Sequence, residues 1–137
     1  MPVGLLVAGI LLGHAAIHVG FLAAPPPATA TGPAWPFATD RAWLVTRLGV
    51  DPALVRRLAT GLAAVTIVAY PVAALAALGV LPAATWPLAI AAGSVASLGL
   101  LAACFHPWLV LGVVIDVALL WSCLVAGWQP GVTRWGG

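Results

Sequence analysis

Hydrophobic residues occur in long runs with almost no charge, and polar residues are concentrated in the connections between them. The runs cover residues 3–22, 58–78, 83–105 and 107–128. Each is close to the ~20 residues that an α-helix needs to cross ~30 Å of hydrocarbon. The pattern predicts an all-α integral membrane protein, a four-transmembrane-helix bundle that forms a single membrane domain over residues 1–137.

The ends of the runs predict where the membrane spans begin and end. The first run has no Lys or Arg before it and is longer than the ~7–15 apolar residues of a secretory signal, so it is interpreted as a true span. The links between the second, third and fourth spans are short, which predicts an up-down arrangement of neighbouring helices. The predicted spans are about 3–22, 53–79, 85–105 and 107–128.

The connection between the first two spans, residues 23–52, is the long one. Its second half contains an amphipathic stretch with arginines on one side and apolar residues on the other, which predicts a short interfacial helix over about 40–48. Gly49 is suited to end that helix, because glycine adopts the left-handed backbone conformation without strain. Asp51 followed by Pro52 predicts the start of the next helix, with a capping side chain and then proline in the first turn.

Composition supports the membrane assignment and excludes one class of partner. Hydrophobic residues make up 64% of the chain and charged residues 6%, against about 25% charged residues in soluble domains. A net charge of +2 is too small to predict binding to nucleic acid. The lipid bilayer is the partner that the composition predicts.

Basic residues predict the orientation of the chain in a bacterial cytoplasmic (inner) membrane. Four arginines, Arg41, Arg47, Arg56 and Arg57, lie in or beside the 23–57 connection, and Arg134 is on the other side. The positive-inside rule places that connection in the cytoplasm and both termini outside. Tryptophans then lie near both interfaces, at Trp43 and Trp108 on the inner side and at Trp86 and Trp128 on the outer side.

Three polar residues stand out within the apolar runs, namely His14, His18 and Asp116, and they are the candidates for a functional site. A charge at the centre of the bilayer costs at least ~2.5–3.5 kcal/mol, so Asp116 must face the bundle interior and be paired or protonated. By helical rise, Asp116 and His14 lie at similar depth near the midplane, and His18 lies nearer the cytoplasm. We therefore expect a hydrogen bond between His14 and Asp116.

These side chains have more than one interpretation. Polar pairs in membranes often only hold helices together, at ~0.6–2 kcal/mol. His14 and His18 share one helix face, as zinc-binding histidines do, and with Asp116 they could form a metal site, although the glutamate of an HExxH motif is absent. His106 lies at the membrane edge, too shallow to oppose His14, so the sequence disfavours haem. The cofactor is otherwise unknown.

The first span has a second distinctive face, formed by small residues. Gly9, Gly13, Ala16 and Gly20 lie close together around the helix and would let another helix approach closely. This helix-packing face lies nearly opposite the histidines, which predicts contact with a second copy of the chain or with other membrane subunits. The alternative is that glycine is simply frequent in membrane helices.

Short segments resemble known proteins. The stretch at 13–21, GHAAIHVGF, and the stretch at 105–109, FHPWL, followed by Ile115–Asp116–Val117, resemble the first helix and last hairpin of small bacterial four-span membrane proteins. In size and span number the chain is similar to the DoxX-like group. That resemblance implies a link to quinone-dependent oxidation or to membrane redox complexes, and it transfers no catalytic residue.

The sequence thus leaves several functions open. The leading hypothesis is a small non-enzymatic inner-membrane protein whose His14, His18 and Asp116 form a buried polar site for a small ligand, a lipid or a proton. The second is a metal- or quinone-assisted membrane redox component that uses the same residues. The third is an accessory subunit that docks into a larger complex through the glycine face of the first span.

Overall fold

A computed structural model of the chain describes residues 2–23 and 35–129. No β-strand occurs in this part of the chain. The α-helices are α1 (Pro2–His18), α2 (Trp43–Thr46), α3 (Pro52–Ala77), α4 (Thr85–Ala103) and α5 (Val110–Leu120). Short turns of other helical types accompany them: 3-10 turns at Val19–Phe21, Thr39–Arg41 and Pro107–Leu109, and a π-helical turn at Trp121–Val125.

Within the described residues, four helical segments are long and apolar enough to cross a membrane. They are Val3–Phe21, Pro52–Ala77, Thr85–Ala103 and Pro107–Val125. The prediction of an all-α fold with four candidate spans is therefore confirmed for this part of the chain. The ends of the segments lie within three residues of the predicted ones, because apolar runs and their flanking prolines mark helix ends directly in the sequence.

The connection before α3 differs from the prediction of one interfacial helix over 40–48. A 3-10 turn at Thr39–Arg41 is separated from α2 by Ala42, whose backbone is extended (φ −55°, ψ 144°) and whose side chain is buried. The next residue, Trp43, donates from Nε1 to the carbonyl oxygen of Ala102 at 2.7 Å. The predicted continuous helix is wrong because contacts with the bundle, at Ala42 and Trp43, interrupt its backbone.

The start of α3 follows the capping pattern in the sequence. The carboxylate of Asp51 accepts a hydrogen bond from the backbone N–H of Ala53 at 2.9 Å, and Pro52 occupies the first turn. The helix ends before Gly79, whose φ of 76° only glycine adopts without strain. The prediction of an Asp–Pro helix start is therefore confirmed.

The helices pack so that a polar layer lies between two apolar layers. α3 packs most extensively against α4, α1 packs against α3, and α5 packs against α4. One apolar cluster includes Leu11, Tyr70 and Trp86, and the other includes Val55 and Leu100. On α3, α4 and α5 the buried polar residues lie between the residues of these two clusters. On α1, His18 does so as well, whereas His14 lies among residues of the first cluster.

Trp86 lies in the first turn of α4, near the end of its span as the sequence predicts, but its side chain belongs to the core. It has 0% exposure, and its ring lies edge-on to the ring of Trp128 with centroids 5.5 Å apart. Trp86 Nε1 donates to the carbonyl oxygen of Trp128 at 3.2 Å. The rotation of α4 about its axis therefore directs this side chain into the bundle.

Two helical glycines provide a test of this packing. A Cβ on Gly93 would lie 2.7 Å from Cε1 of the buried Tyr70 ring, whereas a Cβ on Gly61 would have no neighbour within 4 Å. We expect Gly93→Ala to lower the free energy of unfolding by about 1–3 kcal/mol through overpacking. Gly61→Ala should leave it unchanged or raise it by up to about 1 kcal/mol, because alanine is the better helix former.

Denaturation of the purified protein in a fixed detergent measures both variants. Equal stability of Gly93→Ala and Gly61→Ala would contradict the close packing of α4 on α3 at Tyr70.

Candidate functional site

Six buried polar side chains meet where α1, α3, α4 and α5 approach one another. We refer to them as the polar layer: His14, His18, Tyr70, Ser94, Ser97 and Asp116. All are buried, with exposures between 0% and 3%. The helical repeat places them there, because residues three or four apart share one helix face, as His14 and His18 do on α1.

Asp116 is the centre of the polar layer. It has 0% exposure, and its two carboxyl oxygens contact three side chains from three other helices. His14 Nε2 lies 3.0 Å from Oδ1, Tyr70 donates its phenolic hydrogen to Oδ1, and Ser97 Oγ lies 2.5 Å from Oδ2. The carboxyl group therefore faces the bundle interior, as the cost of placing it against lipid requires.

Ser97 connects Asp116 to His18. Its Oγ lies 2.9 Å from His18 Nε2 and makes a longer contact of 3.4 Å with His14 Nε2. The other ring nitrogen of His18, Nδ1, donates to the backbone carbonyl of His14, one helical turn earlier, at 3.0 Å. This last contact fixes the orientation of the His18 ring, so its Nε2 is held towards Ser97.

Tyr70 is held from the opposite side by Ser94. The two hydroxyl oxygens lie 3.1 Å apart, and Tyr70 uses its only hydrogen towards Asp116, so Ser94 must donate to Tyr70. The missing side chain of Gly93 gives the Tyr70 ring its space. A directed chain of hydrogen bonds thus runs from Ser94 through Tyr70 to Asp116.

One ring nitrogen of the polar layer has no partner. His14 Nδ1 is the one buried side-chain nitrogen or oxygen in the described part of the chain without a hydrogen bond. The neighbouring ring carbon, Cε1, would lie 3.1 Å from a Cβ at Gly112. Glycine at this position of α5 therefore makes room for the imidazole edge that carries Nδ1.

The structure brings all three candidate site residues from the sequence into one network. His14 contacts Asp116 directly, and His18 reaches it through Ser97. Sequence reasoning missed the serines and Tyr70 as members. Tyr70 could have been found, because it is the only tyrosine of the chain and lies inside an apolar run. Serines give no such signal, since they are also ordinary packing residues of membrane helices.

The contacts favour a hydrogen-bonded network over a metal site. Within residues 2–23 and 35–129, no group of three or more His, Cys, Asp or Glu side chains is placed to hold a metal ion. The polar atoms of His14, Ser97 and Asp116 contact each other directly. His106 stands apart at the turn before α5, where its Nδ1 accepts from the backbone N–H of Trp108 at 3.3 Å.

The residues of the predicted helix-packing face of the first span differ in exposure: some have free surface, and one packs against another part of the chain. Gly9, Gly13 and Ala16 are exposed, and a Cβ on either glycine would meet nothing within 4 Å. Gly20 differs, because a Cβ there would lie 2.6 Å from the ring of Phe37. Gly20 therefore serves packing within the chain, and self-association through the other three residues stays a prediction.

Comparisons of the chain with protein-family models, curated proteins and solved structures found no match. The resemblance to the DoxX-like group therefore stays a prediction. Function has to be argued from the geometry and chemistry of the polar layer.

Removal of the central carboxyl group should destabilise the bundle. Asp116→Ala leaves His14, Tyr70 and Ser97 without their shared acceptor, so we expect a loss of about 3–5 kcal/mol in the free energy of unfolding. Asp40→Ala is the matched control, because Asp40 is exposed in the connection before α2 and should change stability by no more than about 0.5 kcal/mol. Equal losses in detergent denaturation would contradict the central role of Asp116.

Self-association through α1 can be tested separately. We expect Gly13→Leu to convert an oligomer in detergent to the monomer, measured by sedimentation or by energy transfer between labelled copies, because the large side chain prevents close helix approach. Gly61→Leu is the control, since Gly61 on α3 is also exposed with nothing near its Cβ position. A wild-type monomer, or equal effects of the two variants, would argue against this face.

Proposed function

We propose that this chain is a non-enzymatic, multi-pass protein of the bacterial cytoplasmic membrane whose polar layer binds a proton near the middle of the bilayer. The observation that carries the proposal is that Ser97 has one hydroxyl hydrogen but bridges two groups that both need a hydrogen-bonding partner. The contacts around Ser97 are satisfied only if the network holds one additional proton.

The membrane orientation follows from charge. The exposed arginines Arg41, Arg47, Arg56 and Arg57 lie at the end of the bundle where α3 begins, whereas Arg134 is outside the described residues. The positive-inside rule then favours a cytoplasmic location for this end, with both termini outside. In this orientation His18 is the member of the polar layer on the cytoplasmic side.

The hydrogens in the network can be assigned one by one, beginning with those on the His18 ring. Its Nδ1 contacts the backbone carbonyl oxygen of His14, which can only accept, so Nδ1 must carry a hydrogen. Its Nε2 contacts Ser97 Oγ, and the same oxygen contacts Asp116 Oδ2. Because a serine hydroxyl donates only once, it can give its hydrogen to His18 or to Asp116 but not to both.

Two proton arrangements satisfy every contact. In the first, Ser97 donates to an Asp116 carboxylate and His18 donates from Nε2, so His18 is an imidazolium ion. In the second, a protonated Asp116 donates to Ser97, and Ser97 donates to a neutral His18. Each arrangement contains one proton more than a network in which Asp116 is a carboxylate and both histidines are neutral. The two arrangements differ only in the positions of two hydrogens, one between His18 and Ser97 and one between Ser97 and Asp116.

Binding of this proton keeps the network electrically neutral. Without it, the network would carry the negative charge of the carboxylate with no positive charge to balance it, and His18 Nε2 and Ser97 Oγ would face each other with lone pairs only. An unsatisfied buried polar group costs about 1–3 kcal/mol, and an unpaired charge in the bilayer at least ~2.5–3.5 kcal/mol. These costs favour retention of the proton.

The Asp116→Asn variant tests the proposal because it imitates the second arrangement. The asparagine amide can donate to Ser97 while its oxygen accepts from His14 and Tyr70, so the fold should be kept. Ser97 then donates to His18, and we expect His18 to hold a hydrogen on Nδ1 only. Nitrogen-15 resonances of histidine in nanodiscs report this directly, at neutral pH.

The wild-type protein should show one of two combinations at the same pH. In the first, both ring nitrogens of His18 carry a hydrogen and Asp116 is a carboxylate. In the second, only one ring nitrogen of His18 carries a hydrogen and Asp116 is protonated, which gives an infrared carboxyl band that is absent in Asp116→Asn. Ser94→Ala, which leaves the Ser97 contacts in place, should give the wild-type result. An Asp116 carboxylate beside a neutral His18 would refute the proposal.

A further inference from the structure

The members of the polar layer lie at unequal distances from the two ends of the bundle. His18 is the shallowest, because helical rise places it only ~5 Å from Phe21, the last residue of its span. On the opposite side the shortest such distance, from Tyr70 to the end of α3 at Ala77, is ~10 Å. A proton that leaves the layer therefore crosses the least apolar material at the end of the bundle where α1 ends and α3 begins.

Aromatic rings cover His18 at this end. The ring centroids of His18 and Phe21 are 6.3 Å apart, and the Phe21 ring lies edge-on to the Phe37 ring with centroids 5.0 Å apart. Exposure rises along this series, since His18 is 1% exposed and Phe21 is 7% exposed, whereas Phe37 is partly exposed. The rings therefore form a continuous series of contacts from the polar layer towards the surface of the bundle.

Phe37 is positioned against α1 by a glycine. A Cβ on Gly20 would lie 2.6 Å from Cδ2 and Cε2 of the Phe37 ring, so the ring occupies the space that a side chain at Gly20 would fill. Phe37 belongs to the connection before α3 and packs against the apolar cluster that includes Val55 and Leu100. Phenylalanine side chains have no hydrogen-bonding atoms, so apolar contacts alone hold this cover in place.

The opposite end of the bundle is closed more firmly. Trp86 lies there in the first turn of α4 with 0% exposure, together with the equally buried Leu11 and Ile90 of the same apolar cluster. Trp86 Nε1 also donates to the carbonyl oxygen of Trp128 at 3.2 Å. Opening this end would therefore break a hydrogen bond in addition to apolar contacts, and a buried group left without its partner costs about 1–3 kcal/mol.

We infer that the polar layer exchanges its proton through one end of the bundle only, the end where α3 begins, past Phe21 and Phe37. Aromatic rings have no group that could pass a proton on, so water must reach His18 while Phe37 is displaced. On binding, a hydronium ion gives one proton to the network and leaves as water, and release is the reverse. The inference rests on the proposed function for the identity of what is exchanged.

One-sided exchange specifies how the proposed proton site would work. In the orientation that the arginines favour, this end is cytoplasmic, so the layer would respond to the proton concentration there and would not carry protons across the membrane. The polar side chains around His18 come from every helix of the layer: His14 on α1, Tyr70 on α3, Ser97 on α4 and Asp116 on α5.

Hydrogen–deuterium exchange at His18 Nδ1 measures access to the layer. This nitrogen carries a hydrogen whether or not the additional proton is bound, because it donates to the carbonyl oxygen of His14. We expect Phe37→Ala to accelerate this exchange in nanodiscs at least ~10-fold, equivalent to ~1.4 kcal/mol in the free energy of local opening. The indole N–H of Trp86, at the opposite end, is the internal reference and should keep its wild-type rate.

Matched variants separate the effect of the cover from a general loss of stability. Phe105→Ala removes the same side chain, but Phe105 is 53% exposed and lies outside the ring series, so exchange at His18 should stay unchanged. Gly20→Ala displaces the Phe37 ring without removing it and should also accelerate exchange at His18. Gly61→Ala is its control, because a Cβ there would meet nothing within 4 Å.

Three results would overturn the inference. The first is an unchanged exchange rate at His18 in both Phe37→Ala and Gly20→Ala, and the second is equal acceleration at His18 and at the Trp86 indole in Phe37→Ala. The third is a Trp86→Phe variant, which loosens the opposite end, that accelerates exchange at His18 as much as Phe37→Ala does. Failure of the proton-binding proposal would appear instead in the protonation states of His18 and Asp116 in the wild type, which exchange rates do not measure.

Discussion

The hydrogen bonds to Asp116 organise the bundle because a carboxyl group with no exposed surface must find its partners inside the protein. Those partners come from three other helices: His14 on α1, Tyr70 on α3 and Ser97 on α4. Apolar side chains of membrane helices pack almost equally well against lipid and against each other, so they give little preference for one helix rotation. A shared acceptor does give such a preference, since each helix must direct one particular side chain towards it.

Small residues let the helices approach closely enough for these bonds to form. Gly93 leaves space for the Tyr70 ring, and Gly112 leaves space for the His14 ring, so both rings reach the same oxygen of the carboxyl group. The apolar clusters above and below then isolate the network. Low polarity around the layer strengthens satisfied hydrogen bonds and makes an unsatisfied group costly. The same surroundings therefore account for the order of the network, and they support the proposal that it holds a proton.

Ser97 makes this arrangement more than a contact between helices. A pair that only held α1 and α5 together would need a single donor and a single acceptor, as His14 and Asp116 provide. The addition of Ser97 and His18 extends the network by a group that can both donate and accept, so hydrogens can be redistributed without a change in net charge. His14, in contrast, directs Nε2 to Asp116 and leaves Nδ1 without a hydrogen-bond partner in the described part of the chain.

The sequence by itself determined the features that depend on local composition. The spans follow from apolar runs, the α3 start from Asp51–Pro52, and the inward position of Asp116 from the cost of a charge in hydrocarbon. His14 and His18 share a face because the helical repeat is fixed. A match in depth between His14 and Asp116 could be predicted because rise per residue is constant.

Only the tertiary structure decided which side chains complete the network. The rotation and register of α3 and α4 place Tyr70 and Ser97 at Asp116, and both are set by packing between segments far apart in sequence. The same holds for the burial of Trp86 and for the interruption of the connection at Ala42, where contacts with the bundle override a helical pattern. A periodic apolar sequence specifies that a helix forms, but its neighbours specify which way each side chain faces.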